Sequence, residues 1–227
     1  MDDFKVEVLP NDFNTYDLSF KIIIIGDSGV GKSCLTLKAT KDYFEEYYSA
    51  TVGFEFFTFN VKIDGKYVKL QIWDTCGQEI YRSLISSFYR NSSLAMMVYA
   101  IDNMDSFDHI GSWLNEVKTQ SSPDVKIFLI GNKTDLENKR KVRKDVADKF
   151  ALENKLDLCM ETSAKSGFNA KNIFIEAAKM LYAEHLRFKD RASKGSLGGN
   201  DVKLPQPQKL TAKRIDGEEE KKKKGCC

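Results

Sequence analysis

Residues 20–35 read FKIIIIGDSGVGKSCL, and this stretch decides the fold. Ile22–Ile25 show no alternation between apolar and polar positions, so the strand they form has both faces buried. Such a strand belongs inside a parallel sheet covered by helices. The run ends in a loop with G-x-x-x-x-G-K-S spacing: Gly26, Gly31, Lys32 and Ser33. Glycines let a backbone wrap closely around an anion and aim N–H groups at it, and a helix starting near Lys32 adds the positive end of its dipole. Lys32 can then reach outer phosphates, and the Ser33 hydroxyl can ligate a magnesium ion shared with them. The alternative, a glycine-rich turn that binds nothing, is disfavoured by this strand–loop–helix context.

The rest of the chain alternates strand-like and helix-like stretches. VKLQIWD (68–74) pairs through the turn at 63–66 with FEFFTFNVKI (54–63). LAMMVYAI (94–101) and VKIFLIG (125–131) are unbroken apolar runs, whereas SFDHIGSWLNEVKTQ, VRKDVADKFALEN and NAKNIFIEAAKMLYAEHL have helical spacing. The expected fold is α/β: a mainly parallel sheet with one antiparallel edge strand and helices on both faces. Ligands of such sheets sit at the carboxyl ends of the strands.

Three further motifs fall at strand ends. Asn132-Lys133-Thr134-Asp135 follows VKIFLIG. A carboxylate there can accept hydrogen bonds from the ring N–H and the exocyclic amine of guanine. Adenine lacks that donor pair, and a site built this way can discriminate by about 10⁴–10⁵. Thr162-Ser163-Ala164-Lys165 follows LDLCME and could bring backbone N–H groups to the base, although alone it reads as an ordinary helix start. Asp74-Thr75-Cys76-Gly77-Gln78 closes VKLQIW. Asp74 can hold magnesium through water, Gly77 can place its N–H on a terminal phosphate, and Gln78 can orient an attacking water.

Composition sets the remaining bounds. A chain of 227 residues with 42% hydrophobic content suits one domain and an appendage, and a net charge of +2 gives no reason to expect a nucleic-acid partner. No stretch approaches the roughly 20 apolar residues of a membrane-spanning helix. The acidic opening MDDFKVEVLPND lacks the features of a signal peptide, and five cysteines without metal-ligand spacing suit a reducing compartment. From Lys189 onward there are 11 Lys/Arg and 6 Asp/Glu with scattered apolar residues, a composition unable to offset its ordering entropy. The expected division is an N-terminal extension (1–17), a folded domain (18–188) and a disordered tail (189–227).

In order and spacing these parts resemble the Ras-like small GTPases and, within them, the Rab branch. The resemblance spans about 18–188 through GDSGVGKS, WDTCGQE, NKTD and ETSAK, with TVGFEF (51–56) and KLQIWDT (69–75) similar to Rab segments. It implies a three-layer P-loop G domain on a mainly parallel six-stranded sheet. It also implies GTP or GDP and Mg2+ as ligands, with slow GTP hydrolysis unless an activating protein intervenes. Nucleotide would lie against Ser28, Gly29, Val30, Gly31, Lys32, Ser33, Cys34, Phe44, Thr51, Gly77, Asn132, Lys133, Asp135, Ser163, Ala164 and Lys165. Ser33, Thr51 and Asp74 would serve the metal, and Lys32, Thr51 and Gln78 the chemistry. Phe56, Trp73 and Phe88 would match an aromatic triad read by effectors, though by spacing they fit a core equally well. Exchange factor, activating protein, GDP dissociation inhibitor and prenylation escort or transferase would be partners, and a monomer is expected.

The pattern departs from the family at Cys76, Ile80, Asn91 and Ala100, none of which removes a nucleotide-binding group. The ending EEEKKKKGCC resembles the double-cysteine end of Rab proteins, which implies two geranylgeranyl chains on Cys226 and Cys227. Two chains anchor stably where one does so marginally, and Lys221–Lys224 would face anionic headgroups. The expected location is the cytosol and the cytosolic face of an intracellular membrane. Two rivals remain at this level: a P-loop ATPase or kinase, and a scaffold that holds nucleotide permanently without switching.

Overall fold

The computed structural model describes residues 4–46, 51, 53–77 and 88–194. Its seven strands are β1 (Val6–Leu9), β2 (Leu18–Ile25), β3 (Phe54–Ile63), β4 (Lys66–Thr75), β5 (Leu94–Ala100), β6 (Lys126–Asn132) and β7 (Leu158–Glu161). Five α-helices join them among the described residues: α1 (Lys32–Lys41), α2 (Met104–Asp108), α3 (Ile110–Gln120), α4 (Lys144–Glu153) and α5 (Asn172–Lys194). The strands form one sheet in the order β1-β3-β4-β2-β5-β6-β7.

The isoleucine run explains the layering. Ile22 and Ile24 point into one core with Leu35 of α1 and Phe174, Ala177 and Leu181 of α5. Ile23 and Ile25 point into the other with Phe107, Ile110, Trp113 and Val117, and all four isoleucines are fully buried. β5 divides in the same way, Met96 and Val98 on one side and Met97 and Tyr99 on the other. A strand buried on both faces cannot alternate with polar residues, hence the unbroken apolar reading. β2 pairs parallel with both β4 and β5, so its carboxyl end opens at the point where the strand order reverses. That is where open α/β sheets form their ligand crevice.

Three expectations change. The sheet has seven strands rather than six, because the segment read as a bare N-terminal extension contains β1, antiparallel to β3 over Val6↔Ile63 to Leu9↔Asn60. β3 is still the one strand running against the others, but β1 now flanks it. A four-residue strand of mixed exposure leaves little periodicity to read. The second change is at the far end. α5 continues past 188 to Lys194 because its register persists beyond the point where composition shifts. SFDHIGSWLNEVKTQ is also divided into α2 and α3 at His109.

Residues 4–17 are tied to the domain rather than appended. The buried Asn60 donates from Nδ2 to the carbonyls of Pro10 (3.0 Å), Asn11 (3.2 Å) and Phe13 (3.3 Å). Asn11 in turn donates to the Thr40 carbonyl near the end of α1, and Phe4 packs edge-on against Tyr182 of α5 at 5.4 Å. The Asn60→Ala variant leaves these carbonyls without their shared donor. It should lose about 1–3 kcal/mol in urea unfolding, the range for orphaned buried polar groups; an unchanged midpoint would show the segment to be uncoupled from the domain.

Candidate functional site

A cleft of about 300 Å³ opens at the carboxyl ends of β2, β4 and β6. Its walls bring together Ser28, Gly29, Gly31, Lys32, Ser33 and Cys34 with Phe44, Thr51 and Gly77, and with Asn132, Lys133, Asp135, Ala164 and Lys165. Segments more than 130 residues apart in the chain thus share one cavity, as in Gly29 and Lys165.

The phosphate loop is shaped by close backbone approach. Gly26 has φ of +137°, and a Cβ there would stand 2.1 Å from the Val98 carbonyl oxygen of β5. A Cβ on Gly77 would stand 2.3 Å from the backbone of Asp27 and Ser28, so the end of β4 can touch the loop only as glycine. Lys32 folds back beneath the loop, donating from Nζ to the carbonyls of Gly26 and Asp27, each at 2.8 Å. It is buried, and burial pulls its pKa below the usual lysine range against the opposing pull of Asp74, Asp27 and Cys76. A desolvated ammonium held by loop carbonyls is poised to transfer its hydrogen bonds to an anion in the cleft.

Beside it lies a set of oxygen donors. Ser33 Oγ donates to Asp74 Oδ2 and lies 2.7 Å from Thr51 Oγ1. Asp74 is fully buried, and its Oδ1 has no hydrogen-bond partner among the described residues. Burial raises its carboxyl pKa to about 7, opposed by the Ser33 hydrogen bond and the Lys32 charge. A buried carboxylate with an open oxygen beside two hydroxyls is a hard-oxygen set, suited to Mg2+ retaining part of its water shell. Ser33, Thr51 and Asp74 are therefore the residues that fit the metal.

Asn132 is the junction of three loops. Its Nδ2 donates to the carbonyls of Val30 (3.0 Å) and Gly31 (3.3 Å) on the phosphate loop. Its Oδ1 accepts from Thr162 Oγ1 and from the Ala164 N–H, both at 3.2 Å. Ser163 is buried behind the wall and donates to Asp135 Oδ1 at 2.5 Å, which orients a carboxylate that lines the cleft. Val30 and Ser163 thus stand close by without forming the wall, the Val30 side chain being in the core. Gln78 lies outside the described residues, as do Cys226 and Cys227.

Several residues at the site carry no sequence signal. Arg140 bridges Glu137 (2.6 Å) and Glu161 (2.7 Å), joining the 3₁₀ turn that contains Asp135 to the end of β7. Lys165 Nζ pairs with Glu46 at 2.8 Å, linking segments on opposite walls. Such pairs become visible only when the fold closes the intervening chain. Away from the cleft, Trp73 contacts Phe56 (5.2 Å) and Phe88 (5.1 Å), and Phe54 joins them at 5.4 Å from Trp73 and 4.6 Å from Phe88. Phe54 and Phe56 are half exposed, and Lys21 Nζ stands 5.4 Å from the Trp73 ring centre. Spacing could not separate core from surface for these aromatics; the fold divides them, with Phe56 half exposed, Trp73 and Phe88 partly buried against the core, and Phe54 as a fourth, half-exposed member.

Residues 21–183 match the family model described as Ras family. The chain belongs to the Ras family. Membership makes it a small GTPase, a guanine-nucleotide switch that hydrolyses GTP, and the cleft is built as such a nucleotide and its Mg2+ require. Regulation of this Ras-family protein by exchange factors and activating proteins follows in general terms from the same membership.

Asp74 gives the site a pH signature. With a folded-state pKa of about 7, it takes up a proton between roughly pH 4 and pH 7 that the unfolded chain does not. Its contribution to stability therefore falls as pH rises through that window, and a divalent cation should offset the loss. Without Mg2+, wild-type protein should lose stability relative to Asp74→Asn between pH 5 and about 7 in urea unfolding. Parallel pH profiles for the two proteins would show that the carboxyl is ionised throughout.

Proposed function

We propose that this Ras-family protein is a Rab-type switch, anchored to the cytosolic face of an intracellular membrane and acting in vesicle trafficking through recruited effectors. The observation that carries the Rab reading is the aromatic cluster in which half-exposed Phe54 and Phe56 lie over partly buried Trp73 and Phe88. Phe54, Phe56 and Trp73 sit on β3 and β4, the strands whose ends lead to Thr51 and Asp74, and Phe88 packs against them from the segment before β5. An aromatic surface so close to the metal-facing residues can report the state of the nucleotide to a partner, since aromatic anchors supply much of interface energy. Sequence adds TVGFEF at 51–56 and KLQIWDT at 69–75.

In the proposed cycle residues 44–56 and 75–90 would be ordered with GTP bound, Thr51 and Gly77 facing the terminal phosphate, and would be released on hydrolysis. Bound Mg2+ would neutralise phosphate charge between Ser33, Thr51 and Asp74. Lys32 would exchange its bonds to the Gly26 and Asp27 carbonyls for phosphate oxygens, and its confinement fixes where that charge acts. Gln78 is assigned the attacking water. Asp135, oriented by Ser163, would take the two guanine donors, with the Ala164 N–H already engaged by Asn132. Cys226 and Cys227 are proposed to carry two geranylgeranyl chains, with Lys221–Lys224 at the headgroups.

Two measurements check this reading. Asp135→Ala should weaken GTP binding by about 10²-fold or more and narrow the preference for GTP over ATP in competition, because the guanine donors lose their acceptor. Purified protein loaded with GDP or with a non-hydrolysable GTP analogue should capture different proteins from a membrane extract. The set specific to the GTP form should be lost on Phe56→Ala or Trp73→Ala. Identical capture by both forms would replace the switch with a constitutive scaffold.

A further inference from the structure

Asp27 is the second residue of the phosphate loop, and it faces away from the cleft toward α3. Both of its carboxylate oxygens are engaged by that side of the molecule. Trp113 donates from Nε1 to Oδ1 at 2.9 Å, and His109 Nδ1 lies 2.6 Å from Oδ2. A carboxylate oxygen only accepts, so the hydrogen of this contact resides on His109 Nδ1. The same Asp27 contributes its backbone carbonyl to Lys32 Nζ at 2.8 Å, and its backbone abuts Gly77. One residue therefore connects α3, the cation under the phosphates and the end of β4.

We propose that His109 is a positioning residue of the phosphate loop, holding Asp27 together with Trp113, so that the loop retains nucleotide more tightly when the imidazole is protonated. Two effects act in the same direction. An imidazolium makes a charge-assisted contact and braces the loop from behind, and it also neutralises a carboxylate that would otherwise repel the nucleotide phosphates. His109 is more than half exposed, so its proton exchanges freely with solvent and the brace can follow the surrounding pH.

Among the described residues, few groups surround the pair. From the phosphate loop His109 meets Asp27; from α2 it feels Asp105 and Asp108, and each favours the protonated ring over the opposing effect of burial. Trp113 of α3 carries no titrating charge, and Gly77 brings no side chain. On the cleft side the charge nearest the pair is Lys32, which donates to the Asp27 carbonyl and feels the Asp27 carboxylate. Together they place the titration of His109 above the ordinary histidine value, within the range where histidine serves as a pH switch.

The inference rests on the guanine-nucleotide reading of the cleft, and the experiment separates the two. Release of a fluorescent GDP analogue is followed from pH 5.5 to pH 8 in full-length wild type, His109→Gln and Asp27→Asn. Wild type should release nucleotide roughly threefold to tenfold more slowly at the acidic end, where the ring is protonated. His109→Gln, which keeps a donor but cannot charge, should remove that difference and stay near the fast rate. Nuclear magnetic resonance should show the His109 ring titrating above 6.5 in wild type and lower in Asp27→Asn. A His109→Gln profile that keeps the full wild-type pH dependence, or a ring pKa unmoved by Asp27→Asn, overturns the inference and leaves nucleotide binding intact. Failure of wild type to retain the analogue at any pH would instead overturn the guanine reading, and this inference with it.

Discussion

Burial of β2 on both faces is the constraint on which the other features depend. Ile22 and Ile24 require helices α1 and α5 above the sheet, while Ile23 and Ile25 require α2, α3 and α4 below it. Once both covers are in place, the strand is central and pairs on each side, and its carboxyl end must open where the strand order reverses. The phosphate loop is thereby held between β4 and β5, close enough that Val98 permits only glycine at 26 and the Asp27 backbone permits only glycine at 77. A loop enclosed this tightly loses little further entropy when an anion enters, which is what preorganisation contributes to binding.

The polar groups of the cleft are buried on terms that a ligand can relieve. Lys32 is satisfied by two loop carbonyls and Asp74 by one hydroxyl, with one carboxylate oxygen left over among the described groups. Desolvation pushes both toward their neutral forms, downward for the lysine and upward for the carboxyl. Bound phosphates would favour the charged form of Lys32 and a divalent cation that of Asp74, so nucleotide and metal would stabilise the same arrangement from opposite signs. Asn132 makes this arrangement collective, since one amide holds the phosphate loop and the Thr162–Ala164 loop together. Base recognition and phosphate recognition are for that reason not independent modules.

The outward face follows a different logic. Phe54, Phe56, Trp73 and Phe88 gather on the β3–β4 side, whereas the Asp27–His109–Trp113 contacts brace the loop from the α3 side. The first is the surface proposed to meet a partner, the second a support behind the loop whose histidine is open to solvent. Both connect to the cleft through strand ends or through the loop itself, so each can sense or influence nucleotide without touching it.

Much of this was legible in the chain. Unbroken apolar runs identified the central strands because double-sided burial abolishes alternation, and the four motifs marked strand ends because local backbone geometry needs glycine, lysine or carboxylate at fixed offsets. What escaped depended on distance. β1 is too short to show a period, and its place is decided by Asn60, some fifty residues away. Asn132 read as a base contact, but the fold makes it a clamp on the phosphate loop 102 residues earlier. Arg140 with Glu161, Lys165 with Glu46 and Asp27 with His109 carry no shared motif, since ion pairs form wherever closure brings charges together. Sequence by itself determined the layers, the phosphate loop and the family. The extra strand, the aromatic surface and the supports behind the loop were decided by tertiary structure, because they depend on which distant side chains the packed sheet and helices bring into contact.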